Sequence, residues 1–175
     1  MVNERIDNMT SKNTRSVPPA PWKSLGVVLT GGLIGVGFAE NSDLLLVVTH
    51  DGRGVIDCTT GIRVARDRSP DFDFGENDRS VEGVGPLAGT NVCVAGSIYG
   101  GALPPVTDDG WVLEGILTNR SDDLIRLLPP TRGEASTDAV TEFTDFVPEV
   151  RVFGFSPTGN SFVIGTGADV SVFAR

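Results

Sequence analysis

An all-β or strongly β-weighted fold built from antiparallel meanders is what this chain of 175 residues predicts. Three observations predict it: short apolar runs bounded by turn-forming pairs, 22 Gly and 11 Pro spread between those runs, and one short stretch with helical spacing. Gly and Pro are costly inside helices and punctuate strands, so the pattern favours many short strands. A chain of this length buries one sizeable core. It therefore reads as a single β domain over residues 22–175 behind a disordered arm over residues 1–21.

The arm is polar and ends in the Pro18, Pro19, Pro21 cluster, which favours an extended linker. It carries no apolar h-region, and the longest apolar window, residues 25–38, is too short for a bilayer and holds five glycines. Neither a signal peptide nor a membrane partner is expected, and a cytoplasmic location is favoured. Residues 25–29 and Leu33–Phe38 read as strands around the turn Thr30-Gly31-Gly32. After a polar turn, Leu44–Thr49 is an apolar run of the kind found in the middle of a sheet. His50-Asp51-Gly52-Arg53 is a hairpin turn, because Asp-Gly readily adopts positive φ. Residues 54–58 and 62–65 are the strands that follow, with Thr59-Thr60-Gly61 between them.

Residues 67–80 form a charged loop and 84–87 a short apolar piece. Residues 91–98 read as a strand, and 99–105 as a flexible connection. Residues 111–117, after the turn 107–110, are a clear strand with Trp111 in the core, and 124–128 are stopped by Pro129-Pro130. Residues 136–146 are the single helical candidate. Ser136 or Thr137 caps it, and Ala139, Val140, Phe143 and Phe146 recur at helical spacing.

Residues 35–65 run in a fixed order: strand, polar turn, apolar strand, Asp-Gly turn, strand ending in Asp57, Thr-Gly turn, last strand. The C-terminal run VFGFSPTGNSFVIGTGADVSVFA repeats the first three strands of that unit, with Phe155 matching Phe38 and the Ser156 to Gly159 turn matching the turn after Phe38. These segments, 34–65 and 151–174, resemble blades of the WD40-like or bacterial β-propeller family. The resemblance implies a small propeller-like architecture, beside which a sandwich-like arrangement fits the same strands. The chain has neither the Gly-His nor the Trp-Asp pair of that family. The final strand is expected to pair with residues 25–29, which locks the fold without a disulfide. Cys58 and Cys93 are accordingly read as reduced core thiols, with a disulfide as the alternative.

A formal charge of −9 repels phosphate backbones and anionic lipids, which argues against a nucleic acid partner. It suits a basic protein partner. Function is therefore read as that of a non-enzymatic β module, of accessory or immunity type, binding a protein through its loops. Asp71, Phe72, Asp73, Phe74 and Glu76, where aromatics alternate with acids, and Tyr99 are the expected contacts. The acids of that loop, Asp71, Asp73, Glu76 and Asp78, are a cation site in the alternative reading, without the spacing of an EF-hand. A small hydrolase using His50 and Asp51 is the enzymatic alternative, since a carboxylate at a strand end can orient a base. A structural homo-oligomer is the third reading. No cofactor is expected, because the glycine-rich segment 28–35 reads as a hairpin and not as a phosphate loop. The doublets Asp108-Asp109 and Asp122-Asp123 read as turn formers.

Overall fold

The computed structural model describes residues 17–69, 79–96, 102–116, 123–130, 143–147 and 149–175. Over these residues the chain is almost wholly β, with one 3-10 turn at Gly85–Leu87. An N-terminal sheet is a four-stranded meander of β2 (Leu33–Phe38), β3 (Leu44–Thr49), β4 (Gly52–Asp57) and β5 (Ile62–Asp67) in that order. A small ladder pairs β6 (Ser80–Glu82) with β7 (Asn91–Cys93). A three-stranded sheet places β9 (Asp123–Leu128) between β8 (Val112–Ile116) and β10 (Phe143–Val147). The C-terminal sheet contains β11 (Val152–Phe155), β12 (Ser161–Gly165) and β13 (Asp169–Ala174), and β1 (Lys23–Leu29) completes it against β13. The expected pairing of the two distant segments is thus present, with Lys23 opposite Ala174 and Leu29 opposite Asp169.

The apolar runs without alternation are explained by burial on both faces. On β3, Leu45 and Val47 pack with Val163, Val170 and Val172 of the C-terminal sheet. Their neighbours Leu46 and Val48 point the other way and meet Val81, Val92 and Val94 around the small ladder. On β12, Val163 faces the N-terminal sheet, whereas Phe162 and Ile164 join Trp22, Trp111, Ile125 and Leu127 in a third cluster. Successive strand residues point to opposite faces, so a strand between two apolar layers must be apolar throughout.

Three sequence expectations are corrected. The first is the propeller resemblance: among the described residues the strands form four antiparallel sheets, and none of these closes into a ring or barrel. Segments 34–65 and 151–174 do lie in meanders, but the middle of the chain supplies sheets of three and two strands, not blade repeats. The second is the helix over 136–146. Residues 143–146 belong to β10, where Phe143 pairs with Leu127 and Phe146 with Leu124, and the remainder lies outside the described residues. The third is Cys93. Cys58 is buried, but Cys93 is exposed, because alternation along β7 turns Val92 inward and its neighbour outward. Among the described residues no helix is long and apolar enough to cross a membrane.

Candidate functional site

The sequence-predicted contacts Asp71, Phe72, Asp73, Phe74, Glu76 and Tyr99, and Asp78 of the cation alternative, lie outside the described residues. Among the described residues no group of three or more His, Cys, Asp or Glu side chains is placed to hold a metal ion. His50 and Asp51 occupy the β3–β4 turn and are both exposed. Their backbone amides are bound, that of His50 to the Gly32 carbonyl at 3.2 Å and that of Asp51 to Thr49 Oγ1 at 3.3 Å. Thr49 Oγ1 in turn donates to the Gly52 carbonyl at 3.0 Å. Each contact is turn chemistry. Among the described residues no hydroxyl or thiol stands against the imidazole as a nucleophile.

An open pocket of about 360 Å³ lies between the turn before β8 and the β11–β12 turn, lined in part by Thr107, Asp108, Asp109, Ser156, Thr158 and Arg175. Several of its polar side chains bond to one another, while the exposed Asp108 carboxylate does not join them. Arg175 grips Asp109 through two bonds of 2.5 and 2.9 Å, and Thr107 Oγ1 donates to the same carboxylate at 2.7 Å. The Arg175 guanidinium also lies 4.9 Å from the centre of the Trp22 ring. Ser156 and Thr158 share a hydrogen bond, and Thr158 donates to Asp43, as does Ser161 at 2.6 Å. Asp43 precedes β3, so this network fastens the N-terminal sheet to the C-terminal one. Hydroxyls and carboxylates bonded to one another in this way hold structure together.

The Arg175 bond, followed by that from Thr107, lowers the Asp109 pKa from 3.8 to about 2. A carboxyl whose folded pKa lies below its unfolded value contributes stability above the unfolded value and loses it as pH falls. The contribution of Asp109 is therefore present above pH 3.8 and fades between there and about pH 2. Arg175→Ala is expected to lower the thermal midpoint at pH 6 and to narrow its gap from wild type as acid is added toward pH 2. Parallel midpoint curves across that range would refute this role.

A different kind of surface runs along β1 and β5. Both are edge strands, β1 of the C-terminal sheet and β5 of the N-terminal sheet. They come together at one end, where a Cβ on Gly61 would lie 2.9 Å from that of Leu25 and the Arg63 guanidinium donates to the Leu29 carbonyl. Leu25 and Val28 pack inward, which leaves Val27 40% and Leu29 75% exposed. Ile62 is 60% and Val64 47% exposed on β5. Large aliphatic side chains are thus exposed on both edge strands, Val27 and Leu29 on β1 and Ile62 and Val64 on β5, and they form the apolar rims of the two sheets.

The rim is flanked by cations: Lys23 on β1, Arg63 and Arg66 on β5, and Arg68 just beyond it. The stems of Arg63 and Arg66 both lie against Gly54, within 3.9 and 3.7 Å of where its Cβ would stand. Burial, then the neighbouring Arg66 charge, holds the Arg63 guanidinium below its ordinary pKa. Of the acids nearby, exposed Asp51 accepts from Arg66 through its backbone carbonyl at 3.4 Å, and two others are committed elsewhere. Asp67 bridges to Arg53 at 2.9 Å, and Asp57 accepts from the Thr59 amide and hydroxyl. Sequence reasoning placed Val27, Leu29, Ile62 and Val64 on strands but had no signal for which sides stay open, since that depends on how the sheets meet. Comparison of the chain with protein-family models, with curated proteins and with solved structures finds no match.

Proposed function

We propose that this chain is a non-enzymatic β module that binds a protein partner. One observation carries the reading: two edge strands leave large aliphatic side chains exposed, Val27 and Leu29 on β1 and Ile62 and Val64 on β5. Large aliphatic groups gain little where they are and gain free energy when a partner covers them, at roughly 25 cal/mol per Å² of apolar surface removed from water. The turn bonds around His50 and Asp51, and the mutual bonds that occupy Asp109, Arg175, Ser156 and Thr158 in the pocket, favour binding over a hydrolase.

Affinity capture with the wild-type chain and with a Leu29→Asp, Ile62→Asp double variant tests this. Recovered proteins are identified, purified and rebound. The purified partner is expected to bind the variant at least about tenfold more weakly, the equivalent of about 1.4 kcal/mol. Exposed positions of this kind shift stability by about 0.5 kcal/mol or less, so the variant remains folded. Equal binding of every recovered partner to both proteins would remove the rim from the function.

A further inference from the structure

We infer that the partner presents an acidic, extended segment that adds to the open edge of β5 as a fifth strand of the N-terminal sheet. This rests on the protein-binding reading above and supplies the chemistry of the contact. Among the described residues, the backbone of Ile62–Asp67 bonds inward to β4, and no further backbone hydrogen bond engages it on its outer side. An open row of amides and carbonyls is the template that strand addition uses. Main-chain bonds supply affinity there, and side chains on alternate positions supply selection. Ile62 and Val64 offer apolar contacts to such a strand, and Arg63, Arg66 and Arg68 supply the charge it meets.

That charge decides between occupants. A second copy paired two-fold along β5 would bring the arginines of both edges together, with Asp67 already held by Arg53. Like charges facing each other across strands are destabilising. An acidic segment reverses the sign of the same contacts, so the arginines that guard this edge against self-pairing admit a partner of opposite charge. The chain as a whole carries −9 and by that measure favours a basic partner. Screening limits a charge's reach to about 8 Å in physiological salt, so the side chains on the strand, not the distant total, set docking chemistry.

The test titrates two blocked heptapeptides into the full isotope-labelled chain at physiological ionic strength, one alternating valine with glutamate and the other valine with lysine. The glutamate peptide is expected to shift the backbone amide signals of Ile62–Asp67, to slow their hydrogen exchange and to compete with the purified partner. An Arg66→Glu, Arg68→Glu variant is expected to bind the glutamate peptide at least tenfold more weakly and to prefer the lysine peptide. Equal binding of both peptides by wild type, or amide shifts confined to other strands, would overturn the inference. So would a concentration-dependent dimer through β5 that the peptide fails to dissociate, or tighter binding of a single-stranded oligonucleotide at the same amides. If the rim variant loses the purified partner while the glutamate peptide leaves β5 unmoved, the inference falls and the protein-binding reading stands. If the rim variant keeps the partner, the exposed edges drop out of the protein-binding reading whatever the peptide does.

Discussion

Replacing Phe162 by alanine is expected to cost about 3–5 kcal/mol of folding free energy, the range for truncating a buried aromatic in a packed core. Phe162 is fully buried on β12. Its ring stacks on Phe173 at 4.4 Å between centroids and meets Trp22 and Phe155 edge-on at 5.0 and 5.7 Å. Trp22 in turn contacts Trp111 at 5.7 Å, so one ring removed loosens a cluster that ties the C-terminal sheet to β8 and β9. Edge-to-face and stacked geometry adds about 0.5–1.5 kcal/mol per pair beyond area burial. Collapse into the space is opposed because the cluster is held by strands from two sheets. Urea unfolding checks this: the midpoint is expected to fall strongly with an unchanged slope. A loss below about 1 kcal/mol would mean that the cluster is not closely packed. Phe162→Leu, which keeps most of the volume, is expected to lose much less.

Gly52→Ala is expected to have the second largest effect, about 2–5 kcal/mol, from two independent causes. Gly52 sits at φ +113, a backbone conformation that L side chains rarely adopt. An added Cβ would also lie 2.2 Å from the Asp67 carbonyl oxygen and 3.0 Å from Arg68 Cα, both backbone atoms that cannot swing aside. The end of β5 must move. Gly31→Ala separates the two causes: φ there is +60, and nothing lies within 4 Å of the added methyl. The conformational penalty alone, about 1–2 kcal/mol, is expected at that site. Equal losses at both positions in urea unfolding would dismiss the steric part. Because Gly52 abuts the end of β5, its variant is also expected to weaken capture by the apolar rim when assayed at a temperature where it remains folded.

The strands of the two large sheets were legible because their signals are local. Asp51-Gly52 and Thr30-Gly31-Gly32 demand turns whatever surrounds them, and Gly31, Gly32 and Gly52 all have positive φ. The run Leu44–Thr49 announced burial on both faces by its lack of alternation. The partnership of β1 with β13 was also readable, since both ends of the chain offered apolar strands in need of an edge. What failed depended on distant parts of the chain. Phe143 and Phe146 suit a helix by spacing, yet pairing with Leu127 and Leu124 across β9 prevails. Two similar meanders suggested blades, but a hairpin pattern carries no information on how sheets are disposed around one another, and the chain between them does not repeat. The contacts chosen for their alternation of Phe and Asp over residues 71–76, with Tyr99, lie outside the described residues. The apolar rim escaped notice because Val27, Leu29, Ile62 and Val64 look like any core strand residues until the sheets have met.

The bond between β1 and β13 has a consequence for how the molecule comes into being. During synthesis β1 leaves the ribosome well before its hydrogen-bonding partner β13, which sets Val28 against Val170 and Leu29 against Asp169. Closing so wide a separation delays pairing, and unpaired apolar strands invite association in the meantime. The N-terminal sheet, a meander of consecutive strands, can assemble as it emerges. Translation thus yields the N-terminal meander first and holds β1 in suspense until β13 has been made.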